Sequence, residues 1–328
     1  MALPIIARMP AQHALSSDRI HEARGLIDSV FLNTPLLSDP ELDRQLGLHL
    51  HLKLETENPI RSFKGRGTSF FVTTGLAPGA PIVTASAGNF GQGLTYNARK
   101  RGHDVTVFAA EGANPAKIEA MRRFGADVIL RGADFDGAKA EARAHAERVG
   151  STFVEDGASA AIAEGAGTIA AEVTDTIDGI DAFFVPLGNG ALATGAGCWL
   201  KAKSPRTKVI AVVAEGAPCM ALSWKERRLV TTPATDTIGD GIAVRIPVPF
   251  ALETMVDTVD DVMLVTDADL LEAMRLVHAY LGRFIEPSGV AGLAGLLRCH
   301  ETFAGQRLAT PLCGGNMTAA QIAAWFPG

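Results

Sequence analysis

Cysteine is scarce in this chain, and so are runs of positive charge. The 328 residues include four cysteines, which lie far apart and show no C-x-x-C spacing. Such cysteines form neither a zinc cluster nor a disulfide framework, so we expect a reducing compartment, the cytoplasm. The longest run of Lys and Arg is the three residues 99–101, and the formal net charge is −6. Nucleic acid is therefore not an expected partner.

Long apolar runs and low-complexity tracts are also missing. Residues 1–17 mix Pro, Arg, Gln and His among short apolar pieces, unlike a signal peptide or a spanning helix. We therefore expect no membrane contact.

What the sequence does contain is 47% hydrophobic and 20% charged residues, the composition of a globular protein. Since a chain of this length exceeds a typical single domain, two packed lobes are expected.

Short β-branched runs alternate with helical patterns between residues 80 and 214. The pair Asn114-Pro115, for example, predicts the start of a helix that Gly125 ends, because Asn caps helices and Pro suits their first turn. Repeated β-α-β units with right-handed crossovers form parallel sheets covered by helices. The sequence therefore predicts an α/β fold whose binding site lies at the carboxyl ends of the strands.

Lys64 stands in the string S-F-K-G-R-G at 62–67, after a turn and ahead of an apolar helix predicted over 68–76. A lysine at a helix N-terminus, close to Arg66 and partly desolvated, is expected to have its charged form disfavoured. A neutral amine can attack a carbonyl and form a Schiff base. The alternative is an ordinary surface lysine, and the string alone does not decide between them.

Two glycine-rich loops each follow a predicted strand and open a predicted helix. They are T-A-S-A-G-N-F-G-Q-G at 84–93 and P-L-G-N-G-A-L-A-T-G at 186–195. Small side chains leave backbone N–H groups bare at a helix N-terminus, an arrangement that binds anions. In the first loop Ser86 could donate to a carboxylate and Asn89 to a ring oxygen. The alternative for both loops is a tight turn that needs glycine for steric reasons.

The second loop also fits a different cofactor. Its G-x-G-x-x-A spacing at 188–193 is a variant of the dinucleotide fingerprint, and Glu215 ends the following predicted strand. An NAD-dependent oxidoreductase is therefore an alternative. It leaves unexplained Lys64, the S-A-G-N loop at 86–89 and the L-C-G-G-N motif at 312–316.

Taken in order, these segments resemble the fold-type II pyridoxal-phosphate enzymes, in particular the serine/threonine dehydratases. The resemblance covers residues 30–318 and rests on six motifs: S-F-K-x-R-G at 62–67, S-A-G-N at 86–89, G-N-G-A at 188–191, T-x-x-D-G-x-A-V at 237–244, E-P-x-G at 286–289 and C-G-G-N at 313–316. It implies two lobes of the tryptophan synthase β type, each with a mainly parallel sheet flanked by helices. Residues 57–155 would form a small mobile domain, and residues 1–56 and 156–328 a large cofactor-binding domain.

The resemblance implies a role for each matched position. Lys64 would form the Schiff base with pyridoxal 5'-phosphate and later take the α-proton of the substrate. The other cofactor contacts would be Phe63, Asn89, Gly188, Asn189, Gly190, Ala191, Leu192 and Cys313. The substrate would contact Ser86, Ala87, Gly88, Asn89, Phe90 and Gly241. No metal is expected, because Ala221 stands where the family places a second carboxylate six residues after Glu215.

Cys313 and Ala87 narrow the range of pyridoxal-phosphate reactions that the chain is expected to catalyse. A thiol at Cys313 is a weak donor and cannot keep the ring nitrogen protonated, which favours prompt β-elimination over transamination. Ala87 stands where serine racemases of this fold have a second serine, so little racemase activity is expected. The implied enzyme is a homodimer that dehydrates and deaminates a β-hydroxy amino acid, such as threonine or serine, to a 2-oxo acid and ammonia. A β-replacement or threonine-synthase-like enzyme is the alternative within the fold.

Overall fold

The structure is a computed structural model that describes residues 15–326. Residues 1–14, most of the segment predicted not to be a signal peptide, lie outside the described residues. Within the described part, no helix combines the length and the apolar character needed to cross a membrane.

The chain alternates strands and helices, as the sequence pattern predicts. The strands are β1 Leu36–Leu37, β2 His49–Leu54, β3 Ile82–Ala85, β4 Val105–Ala109, β5 Asp127–Leu130, β6 Thr152–Val154, β7 Ala182–Pro186, β8 Lys208–Ala214, β9 Asp261–Val265 and β10 Arg307–Leu312. The α-helices are α1 Ser17–Leu26, α2 Pro40–Leu46, α3 Lys64–Thr74, α4 Asn89–Lys100, α5 Pro115–Arg123, α6 Phe135–Val149, α7 Ala160–Thr176, α8 Ala191–Lys203, α9 Cys219–Glu226, α10 Pro249–Thr258, α11 Asp267–Leu281, α12 Ala291–Cys299 and α13 Ala319–Trp325.

These strands form two sheets. The larger has the order β1-β2-β10-β7-β8-β9, and all of its neighbours are parallel except β1 and β2. The smaller has the order β5-β4-β3-β6 and is parallel throughout. The prediction of an α/β fold with two mainly parallel sheets is confirmed.

Local chemistry sets the ends of the helices. The side chain of Asn114 accepts a hydrogen bond from the N–H of Ala116 at 2.9 Å, and Pro115 is the first residue of α5. Gly125, just past its end, has a φ of +96°, a conformation that only glycine adopts without strain. Helix α3 begins at Lys64, four residues ahead of the predicted start at Thr68, so the lysine is part of the helix itself.

The interior strands β10, β7 and β8 of the larger sheet are buried on both faces. Phe183 and Val185 of β7 pack into one apolar cluster, while Phe184 between them packs into a second cluster on the opposite face. This alternation follows from the two-residue period of a strand. The smaller sheet has apolar clusters of its own, around Val107 and Phe108 of β4. Each sheet is therefore the centre of its own core, and the strand ends are left to form a site.

Candidate active site

The carboxyl ends of strands from both sheets open onto one cavity of about 340 Å³. Its lining includes Ala85 at the end of β3, Val154 at the end of β6 and Pro186 at the end of β7. Every position predicted to contact cofactor or substrate lines it: Phe63, Lys64, Ser86, Ala87, Gly88, Asn89, Phe90, Gly188, Asn189, Gly190, Ala191, Leu192, Gly241 and Cys313. The fold thus brings together residues from widely separated parts of the chain.

Lys64 extends from the first residue of α3 into this cavity. Its Nζ lies 2.6 Å from Oδ2 of Asp156, and the two side chains are only 16% and 12% exposed. The same nitrogen lies 4.7 Å from the ring centroid of Phe63 and 5.9 Å from that of Phe90. The amine is therefore shielded from bulk water and has one anionic partner. Asp156 belongs to none of the six motifs, and sequence reasoning missed it.

Arg66 does not act on Lys64 as an unpaired charge, because its fully buried guanidinium is bound by two carboxylates. It donates to both oxygens of Glu55 at 2.8 Å, and to the two oxygens of Glu172 at 2.7 and 2.9 Å. Lys53 adds a second cation, 2.6 Å from Glu172. Burial alone would lower the pKa of Arg66, but the two carboxylates raise it above its usual range. We call these four residues the paired network; it fixes α3, and hence Lys64, in place.

The first glycine-rich loop is held by its own serine. The hydroxyl of Ser86 accepts hydrogen bonds from the N–H groups of Gly88 and Gly91, at 3.2 and 3.0 Å. Helix α4 starts at Asn89, so the loop carries the bare N–H groups of a helix N-terminus. Ala87 and Phe90 complete the lining on this side. This arrangement suits a carboxylate ligand.

The second loop, residues 188–192, forms a cradle for an anion. None of its backbone N–H groups donates to another described residue. A Cβ on Gly188 would lie 2.9 Å from the carbonyl oxygen of Gly241, and Gly190 has a φ of +96°. The loop therefore needs glycine at both positions, and its free N–H groups at the start of α8 fit a phosphate.

Cys313 follows β10 and is joined to the segment that carries Lys64. The N–H of Phe63 donates to the carbonyl oxygen of Cys313 at 3.0 Å, and the next residues, Ser62 and Gly314, form a β-bridge. Burial, together with the charge of Glu55, raises the pKa of the Cys313 thiol well above its usual range. The sulfur is therefore a neutral thiol, as the chemistry argued from the sequence requires.

Asn89 lies between two polar side chains that bind its carboxamide. Its Nδ2 donates to Oε1 of Glu286 at 2.5 Å, and its Oδ1 accepts from Nδ2 of Asn316 at 2.8 Å. The adjoining turn also positions Gly241, whose N–H donates to the hydroxyl of Ser288 at 2.7 Å. The sequence placed Glu286 and Asn316 within motifs but gave neither a role.

Two ion pairs join helices that cover the smaller sheet to the segment 235–245. Lys117 of α5 is paired with Asp240, and Arg245 lies 2.6 Å from Asp136 of α6. Lys117 and Asp240 both line the cavity. These pairs connect helices that cover the smaller sheet with a segment, residues 235–245, that leads into the larger sheet. Sequence reasoning did not identify them.

The structure does not support a site around Glu215. That residue is exposed, is absent from the cavity lining, and follows β8. Among residues 15–326, no group of three or more His, Cys, Asp and Glu side chains is placed to hold a metal ion.

Known proteins share this chain's sequence and fold. The family model described as pyridoxal-phosphate dependent enzyme matches residues 27–314. The chain is 32% identical to the L-threonine ammonia-lyase of Geobacter sulfurreducens, covering 92% of this chain and 76% of that protein. It is 32% identical to L-threonine dehydratase biosynthetic IlvA of Pasteurella multocida, covering 87% of this chain but 56% of that protein. Among solved structures, the threonine deaminase from T.th. is 30% identical, with a TM-score of 0.86 over 92% of this chain and 99% of that one.

These matches confirm the resemblance predicted from the six ordered motifs. They also decide between the two cofactors that the glycine-rich loop at 188–193 allows, in favour of pyridoxal phosphate and against a nicotinamide nucleotide.

Proposed function

The chain belongs to the pyridoxal-phosphate dependent enzyme family, and from this premise we propose that it is an ammonia-lyase acting on a β-hydroxy amino acid such as threonine or serine. The β-hydroxyl leaves as water, and one water molecule is taken up when the α-amino group is released as ammonia, so that a 2-oxo acid remains. The observation that carries the proposal is the position of Lys64, whose amine shares one cavity with both glycine-rich loops. Its relatives named for threonine support the substrate class.

Pyridoxal phosphate, when bound, supplies an aldehyde for attachment of an amine and a conjugated ring that withdraws electrons from the substrate's α-carbon. The residues present fit this group. The free N–H groups of residues 188–192 would hold the phosphate, and Asn89 would donate to the ring hydroxyl. Lys64 would provide the attaching amine, Phe63 would contact the ring, and the neutral thiol of Cys313 would face its nitrogen.

Different groups of the chain would then bind the substrate and act on it. Ser86 and the N–H groups of Ala87 and Asn89 bind its carboxylate, while Phe90 and Gly241 close the space around its side chain. Lys64 removes the α-proton as a general base. A thiol at Cys313 is a weak donor and would not keep the ring nitrogen protonated, so the bound cofactor would withdraw electrons less strongly. Loss of the β-hydroxyl is then the easier outcome.

We also propose that residues 57–155 act as a small mobile domain, with residues 1–56 and 156–328 as the large cofactor-binding domain. Closure of the small domain would exclude water from the reacting atoms. The pairs Lys117–Asp240 and Arg245–Asp136 support this idea, because they join helices α5 and α6 of the small domain to the segment 235–245 of the large one. We propose a cytoplasmic homodimer, on the family resemblance and the scattered free cysteines.

Absorbance of the purified protein tests the cofactor attachment. The wild type is expected to show a visible band that borohydride abolishes, and Lys64→Ala is expected to lack it. Lys139→Ala is the matched control, because Lys139 also lines the cavity and should keep the band. A wild-type band that survives in Lys64→Ala would remove Lys64 from its proposed role.

Release of 2-oxo acid tests the reaction. Serine, threonine, phenylserine and 3-hydroxyaspartate are to be compared as substrates, with D-serine formation measured in parallel. We expect 2-oxo acid from at least one of them and little D-serine, because Ala87 offers no proton to the opposite face. A coloured protein that releases no 2-oxo acid from any would refute the proposed reaction but not the cofactor.

A further inference from the structure

The carboxamide of Asn89 is held from both sides. Its Nδ2 donates to Glu286, and its Oδ1 accepts from Asn316, whose Nδ2 also donates to the carbonyl oxygen of Ile60 at 2.8 Å. Rotating the amide by half a turn would set its NH₂ against the NH₂ of Asn316 and its oxygen against the carboxyl of Glu286. The two neighbours therefore fix which end is donor and which acceptor. One hydrogen on Nδ2 stays uncommitted.

Glu286 is itself anchored by the backbone. Its N–H donates to the carbonyl oxygen of Gly314 at 2.9 Å, and its carbonyl oxygen accepts from Gly289 at 2.8 Å. The residue is 4% exposed and lines the cavity. Its Oε2 is buried and has no hydrogen-bond partner among the described residues. A buried carboxylate with an unsatisfied oxygen is costly, whereas the uncharged acid is tolerated.

The charges around Glu286 are nearly balanced. Lys117 of α5 and Asp240 of the facing segment are paired with each other, and Cys313 is a neutral thiol. Burial is the largest influence on the pKa of Glu286 and raises it; the charge of Lys117 lowers it and that of Asp240 raises it. Hydrogen bonds from the side chain of Asn89 and the backbone of Asn316 lower it further. The result is a pKa of about 7. Near neutral pH a large share of the protein therefore carries Glu286 as an uncharged acid.

We propose that Glu286 is a positioning residue for the cofactor: together with Asn316 it clamps Asn89 so that the free Nδ2 hydrogen serves the ring hydroxyl. This inference rests on the role proposed above for Asn89. The uncharged form suits the task, because a negative charge beside Asn89 repels the negative oxygen that Asn89 would stabilise. A carboxylic acid kept neutral by its surroundings has the same use in other enzymes. Cofactor affinity is then expected to fall as the pH rises through the pKa of Glu286.

Three variants test whether Glu286 and Asn316 position Asn89. For each variant, the dissociation constant of pyridoxal phosphate and the absorbance of the bound cofactor are measured between about pH 6 and about pH 9. Glu286→Leu removes the acceptor for Asn89 and is expected to raise the dissociation constant roughly tenfold to a hundredfold. Glu286→Gln keeps that acceptor without a titrating group. It should bind within about threefold of the wild type and lose the pH dependence. Asn316→Ala should weaken binding as Glu286→Leu does.

The matched control is Glu164→Gln. Glu164 is also buried with a raised pKa caused first by desolvation, but it lies on α7 and does not line the cavity. The Glu164→Gln variant should have the wild-type affinity for the cofactor and the wild-type pH dependence of its spectrum. Glu286→Leu with wild-type affinity and spectrum would overturn the inference. So would a Glu286→Gln variant that keeps the wild-type pH dependence, and this second outcome is informative even where the leucine variant does not fold.

One further variant separates failure of this inference from failure of the proposed function. Asn89→Ala should change the cofactor affinity and spectrum if Asn89 contacts the ring. An unchanged spectrum in Asn89→Ala would defeat the proposed role of Asn89, and the clamp with it. A changed spectrum in Asn89→Ala beside an unchanged one in Glu286→Leu would leave Asn89 in place and remove Glu286.

Discussion

The molecule contains two groups of buried carboxyl groups, one bound to Arg66 of α3 and one in the lining of the cavity, and their oxygens differ in how many hydrogen bonds they accept. In the paired network, all four oxygens of Glu55 and Glu172 accept hydrogen bonds. In the cavity lining, Asp156 and Glu286 each keep one buried oxygen without a partner among the described residues. We call these two the cavity carboxyls.

This difference in partners shows how a carboxyl group can serve either the architecture of the protein or its chemistry. Glu172 and Glu286 are both buried glutamates, and burial raises the pKa of each. The charges of Arg66 and Lys53 outweigh burial at Glu172 and bring its pKa to about 2, whereas no cation of residues 15–326 forms an ion pair with Glu286 and its pKa is about 7. Full pairing makes a carboxylate a permanent part of the architecture. Incomplete pairing leaves a group that can still exchange a proton or accept a ligand.

Breaking the paired network should give the largest loss of stability. Arg66→Met leaves Glu55 and Glu172 buried without their main cation, and we expect a loss of about 3–5 kcal/mol in the free energy of unfolding. Arg24→Met is the control, because the Arg24–Asp175 pair is solvent-exposed and worth at most about 1 kcal/mol. Urea unfolding measures both. Equal midpoints for the two variants would mean that the network does not hold the helix.

Lowering the pH should give the second-largest loss of stability, again through the paired network. The pKa of Glu172 is lowered in the folded protein, so its contribution to stability is complete above about pH 4.5 and is lost as the pH falls towards about 2. We expect a loss on the order of 3 kcal/mol across that window. Urea unfolding at a series of pH values measures it. The Glu172→Gln variant should be less stable than the wild type at pH 7, but its free energy of unfolding should fall less steeply as the pH is lowered. An equally steep fall in the variant would mean that other groups cause the loss.

The cavity carboxyl Glu286 should respond to pH with the opposite sign. Its pKa is raised in the folded protein, so stability is greatest below about pH 4.5 and is lost as the pH rises towards about 7. Water in the cavity can relieve part of this cost, and we expect about 2 kcal/mol. The stability difference between Glu286→Gln and wild type, measured without cofactor, should grow in favour of the variant from pH 5 to pH 8. A difference that stays constant over that range would contradict the buried, titrating carboxyl.

Replacing Asp156 should have the smallest effect on stability and a clear effect on cofactor loading. Asp156→Asn keeps the shape and an acceptor oxygen for the Lys64 amine but removes the negative charge, and we expect about 1 kcal/mol of lost stability. Since the amine no longer has an ion pair to leave, the cofactor should associate several-fold faster. Stopped-flow absorbance after mixing with pyridoxal phosphate measures the rate. A slower rate would mean that Asp156 assists attachment.

The fold and most of the cavity lining could be predicted from the sequence, because both depend on local signals. Alternating apolar runs gave the strands, caps such as Asn114 gave helix starts, and the motifs placed Lys64 and Asn89 in one site. The partners of these residues could not be predicted in the same way. Asp156 meets Lys64, and Asn316 meets Asn89, only because strands from two sheets end at one cavity.

The expected influence of Arg66 on Lys64 shows the same limit. Two residues apart on a helix, they are neighbours in sequence, yet Arg66 is bound by Glu55 and Glu172 while Lys64 is bound by Asp156. Which charge faces which depends on long-range packing of β2 and α7 against α3. No spacing rule within the S-F-K-G-R-G string carries that information.

The bridge between Ser62 and Gly314 has a consequence for the order of assembly. It joins two residues that lie far apart in the sequence, so its loop is closed only after residue 314 has been made. During synthesis, the segment bearing Lys64 leaves the ribosome long before β10 and the residues that follow it. Because β10 lies between β2 and β7, the larger sheet is completed only when this late strand is in place. The cavity that Lys64 and Cys313 line together is therefore complete only after the larger sheet has formed.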